Sequence, residues 1–143
     1  MATEKFSTYS YLLDRTNRKI KQYAQQKFKE ENFDITVDQW LILKNLSIHN
    51  DQNQSQLAEL TGKDHPTLTR ILDLLCKKGL VERKAAPNDR RSFNIHLTEF
   101  GIQKQKEWAP KVAEARMKAW ENLTEQDYED LKRILNTIYQ SLS

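Results

Sequence analysis

The chain has 143 residues, room for one domain with its own core but not for two ordinary ones. Apolar residues make up 38%, charged residues 30%, and the net charge is +3, a polar balance that fits long helices with one wet face each. Three Gly and three Pro leave little room for the turns of an all-β fold, and one Cys cannot close an internal disulfide. No apolar run approaches the roughly 20 residues of a membrane helix. The first 30 residues are charged and lack the apolar segment of a signal peptide, so the expected location is cytoplasmic and no membrane partner is expected.

In chain order, residues 6–29 read as an amphipathic helix, with Phe6, Tyr9, Leu13, Ile20, Tyr23 and Phe28 at helical spacing. A second helix is predicted from Thr36 to about Ile48. Thr36 and Gln39 form a capping box, and Ile35 and Trp40 are spaced as a hydrophobic staple. A short third helix covers 54–60, with Asn53 as its cap and Leu57 and Leu60 as its expected buried pair. After the turn at Gly62 a fourth helix starts at Asp64, takes Pro66 in its first turn and ends at Gly79. Leu80 to Arg83 and the alternating Ser92 to Leu97 read as two strands of a hairpin, joined by a turn at 85–89. Thr98 caps a fifth helix reaching about Asn122, which Pro110 should kink or break near Trp108. Thr124 opens a sixth helix with Leu131, Leu135, Ile138 and Leu142 on one stripe. The predicted fold class is mainly α with a small β-hairpin, one continuous domain over 1–143.

The positive charge is concentrated. Between Gly62 and His96 stand eight Lys or Arg against four acids, a local charge of +4, while the rest of the chain carries −1. A solvated basic face is the commoner meaning of such a cluster, but its setting here points to a polyanion. Helix, short helix, turn, helix and hairpin in this order make a winged helix-turn-helix. On the fourth helix Leu68, Ile71, Leu72 and Leu75 form the core face. At 100° per residue the opposite face carries Pro66, Thr69, Arg70, Asp73 and Lys77, with His65 and Thr67 beside its N-terminal end. Short hydrogen-bonding side chains with one Arg suit close approach to base edges. The hairpin tip is expected to supply Arg83, Lys84, Arg90 and Arg91, suited to phosphates and to a narrow groove.

The runs Asn53 to Leu60, Pro66 to Leu75 and Lys78 to Arg83 resemble the MarR family of transcription regulators. So do Asp89-Arg90-Arg91-Ser92 and Leu97 to Gly101. The resemblance is tight from about Val37 to Gly101, and the Asp-x-Arg pattern of the wing is its most specific part. It implies a winged helix-turn-helix lobe over about 36–97 and a dimerisation region built from helices at about 6–29 and 98–142. It also implies a homodimer on a pseudo-palindromic operator of double-stranded DNA, commonly a repressor relieved by a small ligand or oxidant. Carried over by position, Arg91 would enter the minor groove, Asp89 would orient it, and the helix from Asp64 would lie in the major groove. Pro110 is not expected in that family's fifth helix.

Other readings compete. Trp40 is first a staple and core residue; with Tyr11 it is the candidate lining of a pocket for a small aromatic or lipophilic effector. Cys76 sits at the edge of its helix's core stripe, a packed thiol before it is a redox site. His49, His65 and His96 lack metal-ligand spacing, and no cofactor motif is present, so neither a metal nor a cofactor is expected. No nucleophile has a partner constellation, and no enzyme activity is expected. The alternative function is a winged helix used for protein–protein contact without DNA, which would favour an apolar rather than a polar fourth helix.

Overall fold

The computed structural model describes residues 3–143, without the side chains of Arg90 and Arg91. In chain order it contains α1 (Tyr9–Glu30), α2 (Val37–Ile48), β1 (Gln52–Asn53), α3 (Gln54–Thr61), α4 (His65–Lys77), β2 (Val81–Ala86), β3 (Asp89–Leu97), α5 (Glu99–Met117) and α6 (Glu125–Ser141), with short 3-10 turns at Glu4–Phe6 and Lys118–Trp120. The mainly helical class with a small antiparallel sheet agrees with the sequence reading. Phe6 belongs to the 3-10 turn rather than to α1, and α5 stops five residues before Asn122.

Caps fix most of these boundaries. Thr36 Oγ1 accepts from the Gln39 amide at 3.1 Å, and Gln39 Oε1 accepts from the Thr36 amide at 3.1 Å. Asn53 and Gln56 repeat the arrangement at the start of α3, at 2.8 and 2.9 Å. Each box satisfies two backbone donors that a helix start otherwise leaves to water. Gly79 closes α4 with φ +73°, a left-handed geometry that a side chain would strain.

The core lies where α2, α3, α4 and the sheet meet. Ile42, Leu43, Leu46, Leu57, Leu68, Leu72 and Leu75 are all inaccessible to solvent. Removing each such side chain from water contributes roughly 1.5–3 kcal/mol. Leu60 does not join Leu57 in it: α3 has only two turns, Leu57 fills the contact with the core, and Leu60 faces outward at 58% exposure.

The sheet has three antiparallel strands in the order β1-β3-β2. β1 was not foreseen. Two residues long, it shows no alternation, and its Asn53 already serves as a cap. β2 and β3 pair from Val81↔Leu97 to Ala85↔Phe93. The register then shifts, so that Ala86 partners Asp89 across a tip at Pro87-Asn88.

The wing is fastened to α5 by one junction. Thr98 donates its hydroxyl to the Gly79 carbonyl at 2.6 Å and its amide to the Leu80 carbonyl at 3.1 Å, while its Oγ1 accepts from the Gly101 amide at 2.9 Å. A Cβ at position 101 would stand 2.0 Å from the Leu80 carbonyl oxygen, so only Gly permits this approach. Helix α5 then packs against α1 and α2, burying Trp108 and Val112. Phe28, Phe33 and Trp108 form a chain of tilted rings at 5.7 and 5.6 Å.

Pro110 does not break α5, which continues through it to Met117. The carbonyl it leaves without a helical donor belongs to Lys106, and both residues are exposed, so water can serve the group. Helix α6 contains no buried residue.

Candidate nucleic-acid interface

Helix α4 presents its core face inward, with Leu68, Leu72 and Leu75 fully buried and Ile71 partly so. The opposite side is open: His65, Pro66, Arg70, Asp73 and Lys77 are exposed, and Thr67 and Thr69 are half-buried. Asp64 caps the helix by accepting from the Thr67 amide at 2.8 Å, and that bond holds its carboxyl below the ordinary value. The cap occupies one of the free amides that could otherwise meet a phosphate. Arg70 reaches back toward the Thr67 hydroxyl at 3.5 Å, a contact weak enough to leave its guanidinium available.

One partner of α4 gave no sequence signal. Gln54, the first residue of α3, donates from Nε2 to the Thr69 hydroxyl oxygen at 2.7 Å across fifteen positions of sequence. The bond ties the two helices of the helix-turn-helix on their polar side.

The hairpin cations divide into two groups. Arg83 is not at the tip. On β2 it shares a face with buried Val81, turns toward α4, and binds Asp73 at 2.7 Å and the Cys76 sulfur at 3.8 Å. Alternation along the strand sends Lys84 to the other face, where it is exposed and lies 3.5 Å from Glu82. There His96 stands between Glu82, 3.0 Å from Nε2, and Asp51, 3.3 Å from Nδ1; its hydrogen bond holds the Glu82 carboxyl below its ordinary value. Asp89 opens β3 at the tip and is exposed. Arg90 and Arg91 follow on the same strand, and their side chains lie outside the described residues.

A model of the MarR family matches residues 33–92, from the turn before α2 to the hairpin tip. The structure of MepR from S. aureus in complex with DNA is 32% identical, matches 95% of this chain and 99% of its own, and superposes with a TM-score of 0.83. A mutant MarR from E. coli complexed with operator DNA is 25% identical over 95% of this chain and 96% of its own, TM-score 0.82. This chain belongs to the MarR family. AbsC from Streptomyces coelicolor, 24% identical with a TM-score of 0.83 over 99% of this chain and 95% of its own, shares the fold.

Within this MarR-family fold, Cys76 is half-buried; burial pushes its thiol up, and the Arg83 guanidinium only partly opposes that. Such a thiol is mostly protonated at neutral pH and correspondingly unreactive. Two cavities lie at the turn between α1 and α2, of about 540 and 330 Å³. Both are lined by Phe33, Asp34 and Lys78; the larger adds Gln22, Gln25 and Lys29 of α1. Trp40 and Tyr11 line neither. Trp40 is packed in the core at 3% exposure, its ring nitrogen without a partner among the described residues, and Tyr11 stands 61% exposed on α1. The Lys78 ammonium bridges the Asp34 carbonyl at 2.7 Å and Gln39 Oε1 at 2.9 Å, so the end of α4 is bonded to the wall of both cavities. Among the described residues no group of acids, His and Cys is arranged to hold a metal ion, and no helix is long and apolar enough to cross a membrane.

Proposed function

We propose that this chain is a DNA-binding transcription regulator that acts as a homodimer on a pseudo-palindromic operator, most simply as a repressor. The observation that carries the reading is the outward polar face of α4, with Arg70 unpinned, set beside a hairpin that carries Lys84, Arg90 and Arg91 at and near its tip. A helix of this kind fits the major groove, and a cationic ribbon beside it fits the neighbouring backbone and minor groove. The MepR and MarR structures, similar over nearly the whole chain, were determined with DNA.

The homodimer reading, with 1–143 as one unit, draws on the exposed apolar residues of the flanking helices. Tyr9, Leu12, Leu13 and Ile20 of α1 and Leu131, Ile134 and Leu135 of α6 are each 38% or more exposed. A second copy related by a twofold axis can cover both. An effector of mixed character suits the larger cavity, where Phe33 and Ile35 supply apolar wall and Lys29 and Lys78 supply charge. Because Lys78 also ends α4, a ligand that drew it away from Asp34 would disturb the reading helix.

The test is binding to duplexes selected from a random pool, followed by fluorescence anisotropy. Arg70→Ala is expected to weaken binding by ~1–3 kcal/mol. Undiminished affinity in that variant would remove α4 from the interface.

A further inference from the structure

We propose that Gln54, the first residue of α3, is a positioning residue that sets which bases Thr69 accepts. This rests on the DNA-binding reading above. The geometry is well anchored at both ends. The Asn53–Gln56 capping box and the pairing of Asn53 with Asn94 fix the backbone that carries Gln54. The Asp64 cap and the buried Leu68 and Leu72 fix the backbone that carries Thr69. Between them Gln54 Nε2 donates to Thr69 Oγ1 at 2.7 Å, and both side chains are half-buried.

A threonine hydroxyl has one proton to give and two lone pairs to offer. Gln54 takes one lone pair, stops the side chain from rotating freely and leaves the proton unspent; a base donor would have to share the same oxygen with Gln54, whereas a base acceptor takes the free proton of a hydroxyl already polarised by the bond it accepts. A hydroxyl held in this way at the edge of the α4 polar face favours a base-edge acceptor: guanine O6 or N7, adenine N7 or thymine O4. Cytosine offers only a donor in the major groove and is disfavoured at the contacted position. The partner class is therefore a duplex in which one position under α4 disfavours cytosine on the contacted strand. Arg70 and the wing supply affinity and the Gln54–Thr69 pair supplies part of the selectivity.

Replacing Gln54 by Glu inverts the chemistry. A carboxylate can only accept, so the Thr69 hydroxyl donates its hydrogen bond to Glu and leaves its lone pairs toward the duplex.

The experiment is selection of bound duplexes from a random pool by the full-length chain and by four variants, with thermal melts to confirm folding. The wild type should deplete cytosine at one position by roughly five- to tenfold, the scale of one hydrogen bond. Thr69→Ser should keep that depletion, Thr69→Val and Gln54→Ala should abolish it, and Gln54→Glu should shift the preference toward cytosine or adenine at the same position. Gln54→Ala binding every sequence uniformly more weakly, or Gln54→Glu leaving the base preference unchanged, overturns the assignment while DNA binding stands. A wild-type chain that enriches no duplex overturns the DNA-binding reading itself.

Discussion

The reading lobe and the flanking helices are written in the same helical alphabet but reach opposite ends. In α2 and α4 the apolar residues at helical spacing are buried: Leu43, Leu46, Leu68, Leu72 and Leu75 have no exposure. In α1 the stripe is buried only at its end, where Phe28 meets Phe33, and in α6 Leu131, Leu135 and Tyr139 remain open at 40%, 38% and 64%. A periodic stripe therefore says that a helix has something to cover. Whether its own chain covers it depends on what packs there. Helix α4 has α2, α3 and β2 against it, whereas α6 contributes no buried residue.

The largest way to break this contrast is to damage the lobe. Leu72→Ala should destabilise the chain by about 2–5 kcal/mol, the cost of a cavity where neighbours cannot collapse, read from denaturant unfolding. That loss should not depend on protein concentration. A loss below about 1 kcal/mol would mean that the lobe core is less tightly packed than its burial indicates.

The next effect belongs to the other region. Leu135→Asp places a charge on the α6 stripe while leaving the lobe core untouched. If a second copy covers α6, the dimer dissociation constant should rise by roughly a hundredfold, because an unpaired charge would be buried. Light scattering at micromolar concentration should then move from dimeric toward monomeric mass. An unchanged mass distribution would take α6 out of the interface.

How much of this was legible follows the same division. The caps at Thr36, Asn53, Asp64, Thr98 and Thr124 were readable because each rests on residues three apart. The core face of α4 was readable because its period is that of the helix. Strand β1 was not, since pairing with Ile95 and Asn94 is a matter of tertiary contact that two residues cannot advertise. The placement of Arg83 could have been found: alternation from Val81 puts it on the core side, but proximity to Lys84 in sequence grouped it with the tip. Gln54 was beyond reach, because nothing local marks a glutamine whose partner lies on another helix. The Lys106 carbonyl shows why Pro110 misled. A proline inside a helix costs about 3 kcal/mol through the bond it removes and the crowding of its ring, but where the freed carbonyl can turn to water the helix can continue through it.

The smallest prediction concerns the joint between the two regions. Asp38 of α2 accepts from Lys63 in the turn before α4 at 2.8 Å and lies 3.2 Å from Lys21 of α1, so it ties the lobe to the flanking helix. Burial pushes its carboxyl up, but hydrogen bonds and charge from Lys63 and Lys21 outweigh burial and hold it below its ordinary value. A carboxyl lowered on folding adds stability above its unfolded pKa, and that stability is lost as pH falls through the folded pKa. With the site partly open to solvent, Asp38→Asn should cost less than about 1 kcal/mol at pH 7. The gap between variant and wild-type urea midpoints should close as the acid range below pH 4 is entered. A gap that persists unchanged at pH 3 would assign the joint to packing of α1 against α2, with the ion pairs contributing nothing.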